Sequence, residues 1–181
     1  GNYAFYGCNN IEEIRVPFIG TKRTSDFYTG SSGQSYTFGY IFGCCLSNYG
    51  DYSDEVAGAI NQYSYRISSE YYQCYYYIPK TIKKVIIGDL SGIIPNSAFN
   101  GCDFIEEITI GKFTQKIGSA AFRGCEKITS LSIPDSVTSI GDSAFGGCIG
   151  LTSINIPDSV TSIGDSAFYN CKNLASITIS D

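Results

Sequence analysis

The 181-residue chain contains no histidine, no tryptophan and no methionine. Without histidine, neither a Ser-His-Asp triad nor a Cys-His pair can be built, and zinc sites with imidazole ligands are excluded. An enzyme would have to work with paired carboxylates or with lysine chemistry, and no motif for either is present. We therefore expect a protein that is not an enzyme and that carries no cofactor and no metal.

Charge and hydropathy argue against two further classes of partner. The net charge is −5 and the basic residues are scattered, so we expect no nucleic-acid interface. No apolar run of about 18 residues is present, so we expect no membrane insertion. The chain starts in the middle of a repeat and ends within a predicted strand, which suggests a piece of a longer protein. The lack of a signal peptide then says nothing about secretion.

A segment of 23 residues occurs twice in succession near the end of the chain. Residues 128–150 read ITSLSIPDSVTSIGDSAFGGCIG, and residues 151–173 read LTSINIPDSVTSIGDSAFYNCKN. Residues 105–127 and 82–104 fall into the same frame without a gap. A repeat of fixed length predicts a solenoid, in which each coil buries its apolar side only against its neighbours.

The repeat, numbered from its first apolar residue, reads L-x-x-I-x-I-P-x-x-V-x-x-I-G-x-x-A-F-x-x-C-x-x. Apolar residues at positions 1, 4 and 6 alternate with polar ones, which predicts parallel, stacked strands with one buried face. Positions 10 and 13 indicate a second short strand. Position 15 carries N-cap residues, so we predict one turn of α-helix or 3₁₀ helix there. Gly118, Gly141 and Gly164 are expected to allow a tight turn. The position-18 rings should form an internal ladder: Phe5, Phe99, Phe122, Phe145 and Phe168.

These positions predict one continuous β-rich solenoid domain. Residues 1–17 hold partial N-terminal repeats, residues 18–81 a degenerate repeat with a tyrosine-rich insertion, and residues 82–181 four regular repeats and a partial fifth. Twelve of the 15 tyrosines lie within 18–81. There, residues 38–45 read as a degenerate repeat turn with Cys45 at the cysteine position, residues 53–65 as a short helix, and residues 75–82 as a β segment.

Charges suggest how the chain re-enters the stack after this insertion. Repeat positions 2 and 3 are two glutamates at 12–13, two lysines at 83–84 and two glutamates at 106–107. Opposite charges on neighbouring strands stabilise a sheet. We therefore predict that the insertion bulges outward and that strand 11–17 lies directly beside strand 82–87. Adjacent carboxylates on a strand point to opposite faces, so these glutamates are not read as acid/base pairs.

The eight cysteines fall into two sets. One set recurs with the repeat and predicts a ladder of small buried side chains rather than disulfides or a metal site: Cys8, Cys102, Cys125, Cys148 and Cys171, joined by Cys45. Cys44 and Cys74 lie on either side of most of the tyrosine-rich insertion. Either a disulfide between them or two free thiols is compatible with the sequence. The aspartate pairs Asp135 with Asp158 and Asp142 with Asp165 fit turns and caps better than calcium.

The motif IPDSVTSIGDSAF-x-x-C with its 23-residue period resembles the BspA-like leucine-rich repeats of the spirochaete type. The segments FGYIFG and YYIPKTIKKVIIG also resemble interruptions within bacterial members of that family. The resemblance implies a curved α/β leucine-rich-repeat-like solenoid of extracellular or cell-surface proteins. It further implies attachment to a host or microbial surface protein or to a glycan, without catalytic residues. We expect a monomer, with end-to-end dimers through the exposed terminal strands as the alternative.

Two surfaces are candidates for binding. One is the outward side of the concave strands, where a polar surface would also serve solubility alone: Arg15, Lys84, Ile86, Glu107, Thr109, Ser132, Asn155 and Thr178. The other is the tyrosine cluster, whose rings could bind a partner or pack the insertion onto the solenoid: Tyr63, Tyr65, Tyr71, Tyr72 and Tyr76. The alternative functions are a structural spacer that presents another domain and, less favoured, an enzyme whose site in the insertion would use Asp51, Asp54, Glu55 or Glu70.

Overall fold

The computed structural model describes residues 8, 10–16, 44–46, 60–67, 70–76, 78–89 and 92–179. For residues 44–46, 60–67 and 70–76 the description covers the backbone. The strands in these ranges are β1 (Glu13–Val16), β2 (Cys44–Leu46), β3 (Ile60–Ile67), β4 (Glu70–Tyr76), β5 (Lys84–Ile87), β6 (Ile93–Ile94), β7 (Glu107–Thr109), β8 (Lys116–Ile117), β9 (Ser130–Ser132), β10 (Ser139–Ile140), β11 (Ser153–Ile156), β12 (Ser162–Ile163) and β13 (Ser176–Ile179).

Each regular coil has three sides, and its first two are parallel strands that stack on the equivalent strands of the next coil. On the first side the described order is β1-β5-β7 in one sheet and β9-β11-β13 in another. On the second side, β6, β8, β10 and β12 form one sheet. The pairing joins equivalent repeat positions, as in Ser153 with Ser176 and Ile140 with Ile163. The predicted parallel, in-register solenoid is therefore confirmed.

The third side is a chain of turns rather than the predicted helical turn. Amides alternate between a local bond and a bond to the next coil. The amide of Phe99 donates to the carbonyl of Ala121 at 2.7 Å, whereas the amide of Asn100 donates to the carbonyl of Ser97 at 3.2 Å. Since every second amide is used between coils, no helix of either kind forms in residues 95–104 or in the equivalent described segments. Ala120 at position 16 has φ 53° and Gly124 at position 20 has φ 73°.

Position 15 also acts between coils rather than as a helix cap. The side-chain oxygen of Asn96 accepts the backbone amide of Ser119 at 2.8 Å. The carboxylate of Asp142 accepts the backbone amide of Asp165 at 2.9 Å. The polar side chain therefore satisfies a backbone donor of the following coil, which ties neighbouring turns together.

Glycine at position 14 is required by the close approach of two coils. A Cβ on Gly141 would lie 2.5 Å from the amide nitrogen of Ser119 and 2.7 Å from the carbonyl carbon of Gly118. A Cβ on Gly118 would meet the amide nitrogen of Asn96 at 2.5 Å. The expected role in a tight turn is thus replaced by a role in packing, because neither glycine adopts a positive φ.

The core is a stack of identical layers. Isoleucine, leucine and valine side chains from the two strand sides are buried against the turn side. The phenylalanine rings stack with centroids 5.4 Å apart between Phe99 and Phe122, 5.3 Å between Phe122 and Phe145, and 5.2 Å between Phe145 and Phe168. The predicted aromatic ladder is confirmed for these four rings, and Phe5 lies outside the described residues.

The tyrosine-rich insertion, called the excursion below, leaves the stack between strands β1 and β5, as the charge pattern predicted. β1 pairs directly with β5 in parallel, with Glu13 opposite Lys84 and Val16 opposite Ile87. The hydroxyl of Thr81 donates to the carbonyl of Ile11 at 2.7 Å, which fixes the returning chain beside the departing one. The predicted adjacency of strands 11–17 and 82–87 is therefore confirmed.

Within the excursion, β2, β4 and β3 form an antiparallel sheet in that order. The helix predicted over 53–65 is wrong for residues 60–65, which belong to β3, and residues 53–59 lie outside the described ones. Cys45 lies in β2 rather than in a repeat turn, and residues 38–43 are outside the description. The β segment predicted over 75–82 ends with β4 at Tyr76, and a turn follows at 80–81.

In the described part of the chain, no helix has the length and apolar character needed to cross a membrane.

Candidate binding surface

The outward side chains of the first-side strands form two parallel rows, which we name the first face. The position-3 row runs Glu13, Lys84, Glu107 and then Ser130, Ser153, Ser176. The position-5 row runs Arg15, Ile86, Thr109 and then Ser132, Asn155, Thr178. All of these residues are exposed or half-buried. The register arises because the buried partners at positions 4 and 6 stack on one another, so alternate residues must point outward. Each predicted first-face residue therefore lies on this surface.

The half of the first face on β1, β5 and β7 is charged. The ammonium of Lys84 lies 3.0 Å from a carboxylate oxygen of Glu107, and Lys83 lies 3.4 Å from Glu106. Both pairs are partly exposed, and each contributes roughly 0–1 kcal/mol to stability. Their main effect is to fix an ordered pattern of charge next to the exposed guanidinium side chain of Arg15.

The half of the first face on β9, β11 and β13 carries hydroxyl and amide groups without charge. Nearby threonines do not add to it, because their hydroxyls bond the preceding coil. Thr152 donates its hydroxyl to the carbonyl of Thr129 at 3.2 Å, and on the second side Thr161 donates to the carbonyl of Thr138 at 3.2 Å. The outward serines, Asn155 and Thr178 are therefore the polar groups this half presents to a partner.

Sequence reasoning missed two exposed aromatic side chains. Tyr169 in the last complete coil is 73% exposed, and Phe113 is 59% exposed. The ammonium of Lys112 lies 5.1 Å from the centre of the Phe113 ring. Asp89 holds this lysine twice, accepting its backbone amide at 3.0 Å and lying 3.5 Å from its ammonium. The signal in the sequence is a break in position 9, where Ser136 and Ser159 occupy the equivalent places in later coils.

The antiparallel strands β3 and β4 bring the predicted tyrosines into one backbone unit. Tyr65 is opposite Tyr72, Tyr63 is opposite Cys74, and Tyr71 is opposite Arg66. Tyr76 is opposite Ile60, and it also pairs with Cys44 of β2. The choice between binding and packing for these rings stays a prediction, since their side chains lie outside the description. Of the carboxylates named for an enzyme site, Glu70 begins β4, and Asp51, Asp54 and Glu55 lie outside the described residues.

Three of the repeated cysteines form the predicted ladder of small buried side chains: Cys102, Cys125 and Cys148. The Cys148 thiol donates to the carbonyl of Phe122 at 3.1 Å, and the Cys125 thiol donates to that of Phe99 at 3.3 Å. Burial raises the pKa of Cys148 to about 12 and that of Cys125 well above its ordinary value. These thiols therefore stay protonated and unreactive near neutral pH. Cys8 and Cys171 are half-buried, and among the described residues neither they nor Cys102 form a disulfide.

The two cysteines that bracket the excursion lie on neighbouring strands. Cys44 is opposite Tyr76, and Cys74 is opposite Leu46, so the two cysteines are offset by two positions along the β2–β4 ladder. A disulfide between them stays a prediction. In the described residues, no group of three or more histidine, cysteine, aspartate or glutamate side chains is placed to hold a metal ion.

Comparison with known proteins finds leucine-rich repeat proteins both among family models and among solved structures. A family model described as a BspA type leucine rich repeat region matches residues 1–48 and 67–181 in six copies. The chain is similar to a leucine-rich repeat protein of T. pallidum, with 30% sequence identity and a TM-score of 0.53 over 54% of this chain and 45% of that one. It is also similar to a leucine-rich repeat protein of Bacteroides ovatus, with 23% identity and a TM-score of 0.53 over 75% of this chain and 39% of that one.

The second of these likenesses shows the fold alone. The chain covers less than half the length of either protein. None of the curated proteins matches it.

Proposed function

Because the chain belongs to the BspA-type leucine-rich repeat family, we propose that it is a non-catalytic binding module of a secreted or cell-surface bacterial protein. Its partner is a host or microbial surface protein or a glycan. The observation that carries this proposal is the register of the first face, which aligns outward side chains of unlike chemistry in two rows across neighbouring strands. Such rows match an extended partner, because successive groups on the partner meet successive coils.

The charged half of the first face, which adjoins the excursion, is the favoured part of this surface. Arg15 supplies a fixed fork of donors, Ile86 supplies apolar area, and the Lys84–Glu107 pair supplies both signs of charge. The tyrosine-rich strands β3 and β4 belong to the excursion that starts and ends beside this half. Tyrosine adds rigid amphipathic contact area at low entropic cost.

The test is a binding screen against matrix proteins, surface extracts of host cells and microbes, and a glycan array. The intact chain is compared with a variant in which residues 46–77 are replaced by a Gly-Ser linker, and circular dichroism confirms that the coils remain folded. We expect binding by the intact chain and loss of binding in the variant if the tyrosines contribute. Binding retained by the variant would assign the site to the first face, and no binding by either chain would contradict the proposal.

The second candidate function is a structural spacer. It is favoured by the near identity of coils 128–150 and 151–173, whose outward residues are small and alike. A spacer needs regular length and a soluble surface, and it needs no specific partner. The screen separates the two functions, since a spacer would bind none of the tested surfaces.

A further inference from the structure

The first-side ladder is interrupted at one place in the middle of the regular stack. β7 and β9 lie side by side, but they belong to two different sheets. The amides of Glu106 and Glu107 both donate to the carbonyl of Lys83, at 2.8 and 3.0 Å, and the amide of Thr152 donates to that of Thr129 at 3.1 Å. Among these described residues, the amides of Thr129 and Ser130 make no equivalent bond to Glu106.

The other two sides stay bonded across the same junction. On the second side, the amide of Gly141 donates to the carbonyl of Ile117 at 2.8 Å. On the third side, the amide of Phe122 donates to the carbonyl of Ala144 at 2.7 Å. The coils 105–127 and 128–150 are therefore hydrogen-bonded along the second and third sides and unpaired along the first side, which is the arrangement of a hinge.

The stacked rings show independently that this junction differs from its neighbours. The planes of Phe122 and Phe145, which face each other across it, are inclined by 13°. The corresponding angle is 4° between Phe99 and Phe122 and 2° between Phe145 and Phe168. The rings at this junction are thus less parallel than those at the junctions on either side.

Repeat position 7 explains why the interruption falls here. Pro17, Gly88 and Gly111 occupy it in the earlier coils. A Cβ on Gly111 would overlap the carbonyl oxygen of Gly88. The amide of Gly88 also donates to the carbonyl of Val16 at 2.7 Å. In the four regular coils, the change from glycine to proline at position 7 occurs between Gly111 and Pro134. Proline brings a ring and has no amide hydrogen. At the next junction Pro157 follows Pro134, so the same residue type holds position 7 on both coils, and there β9 pairs with β11.

We propose that the junction between coils 105–127 and 128–150 is a hinge that changes the curvature of the first face. The charged half on β1, β5 and β7 and the uncharged half on β9, β11 and β13 move as two rigid parts about the bonded second and third sides. A partner that spans both halves then selects one curvature, and its binding restricts the hinge. The hinge is a property of the coils and does not depend on which partner binds.

Amide hydrogen exchange measured by NMR tests the hinge. We expect the amides of Ser130 and Ser132, which face β7, to exchange roughly tenfold or more faster than those of Ser153 and Asn155, because an unpaired strand amide opens without breaking a ladder bond. Residual dipolar couplings from residues 84–127 and 128–179 should give two different alignment tensors. Equal protection of the two strands, together with a single alignment tensor, would overturn the proposal.

Matched variants identify the cause. Pro134→Gly restores both the donor and the close approach, so we expect exchange at Ser130 and Ser132 to slow to the level of Ser153 and Asn155. Pro134→Ala restores the donor but keeps a Cβ, and we expect a smaller slowing. Pro157→Gly is the control, since its junction is already paired, and it should leave Ser130 unchanged. The assignment to Pro134 would be wrong if Pro157→Gly slowed the exchange as much as Pro134→Gly.

Discussion

The coil in the middle of the stack, residues 105–127, and the last complete coil, residues 151–173, carry the same residues at repeat positions 4, 6, 13, 14, 17, 18 and 21. In the middle coil Phe122 is completely buried and Ile117 is 2% exposed. In the last coil Phe168 is only partly buried, and Ile163 is 44% exposed. On the following strand, Ile177 and Ile179 are 46% and 65% exposed. Neighbouring coils, and not the residues themselves, therefore decide how much each position contributes to stability.

The largest expected difference between the two coils is at the phenylalanine ladder. Phe122→Ala removes a ring packed between two others, and we expect it to lower the free energy of unfolding by about 3–5 kcal/mol. Phe168→Ala should cost about half as much, because its ring is still partly in water. Urea denaturation of both variants measures the difference. Equal losses would show that stability is shared over the whole stack instead of arising between neighbouring coils.

Replacing a glycine by alanine should lower stability where two coils approach closely and should not lower it where the glycine faces open space. A Cβ on Gly141 would overlap the backbone of the preceding coil, so Gly141→Ala should destabilise the protein by about 1–3 kcal/mol. Gly92 has open space where its Cβ would lie, and Gly92→Ala should be neutral or stabilise by up to about 1 kcal/mol. Thermal unfolding followed by circular dichroism compares them. A Gly141→Ala variant as stable as the wild type would contradict the close approach of the coils.

The thiol ladder predicts a loss of stability at high pH. The pKa of Cys148 is raised by burial from 9.0 to about 12 in the folded protein. Above pH 9 the unfolded thiol loses its proton while the folded one keeps it, so stability is complete below pH 9 and falls as pH rises toward 12. Each such thiol contributes about 1.4 kcal/mol per pH unit in this window. Urea denaturation of the wild type and of Cys148→Ala at pH 8 and pH 10 measures the difference, and the variant should lose less stability between the two.

The same comparison applies to thiol reactivity. Cys171 on the last coil is partly exposed. Burial raises its pKa, but by less than it raises the pKa of Cys125. We expect iodoacetamide to modify Cys171 before Cys125 and Cys148 under native conditions. Peptide mapping after short labelling times gives the order. Faster modification of Cys125 would contradict its placement in the core.

The smallest effect is expected at the surface charge pairs. Glu107→Gln removes the partner of Lys84, and since both side chains are partly exposed we expect a loss of about 1 kcal/mol or less. The effect should shrink further in 0.5 M salt, because exposed charges are screened. Denaturation with urea at low and high salt measures both values. A large loss that salt does not reduce would mean that this pair is not a surface pair.

Much of the fold could be predicted because its signals repeat. The alternation around Ile154 and Ile156 predicts a strand once, and three further coils repeat it with the same spacing. The glutamate and lysine pairs at positions 2 and 3 predicted that β1 and β5 are neighbours, although 67 residues separate Val16 from Lys84 in sequence. Charge complementarity could reveal this long-range contact, since the strands on both sides were already identified by their period.

The remaining errors have local physical causes. A cap residue such as Asn96 favours a helix when its segment is considered alone, but here its side chain bonds an amide of the next coil. Residues 60–65 follow a helix-compatible stretch, yet they pair with the tyrosine-rich strand β4, and cross-strand pairing outweighed local propensity. Phe113 was missed because a single deviation from a repeat carries no pattern. The interruption between β7 and β9 depends on which residues stack at position 7, and that is a property of two coils together.

The central claim is that binding depends on the charged half of the first face, next to the excursion. The direct measurement is the affinity of any partner found in the screen for two matched triple variants. One replaces Arg15, Ile86 and Glu107 with serine, and the other replaces Ser132, Asn155 and Thr178 with alanine. We predict that the first variant loses at least tenfold in affinity, which corresponds to about 1.4 kcal/mol, while the second changes little. Equal effects of both variants, or a loss only in the second, would contradict the claim.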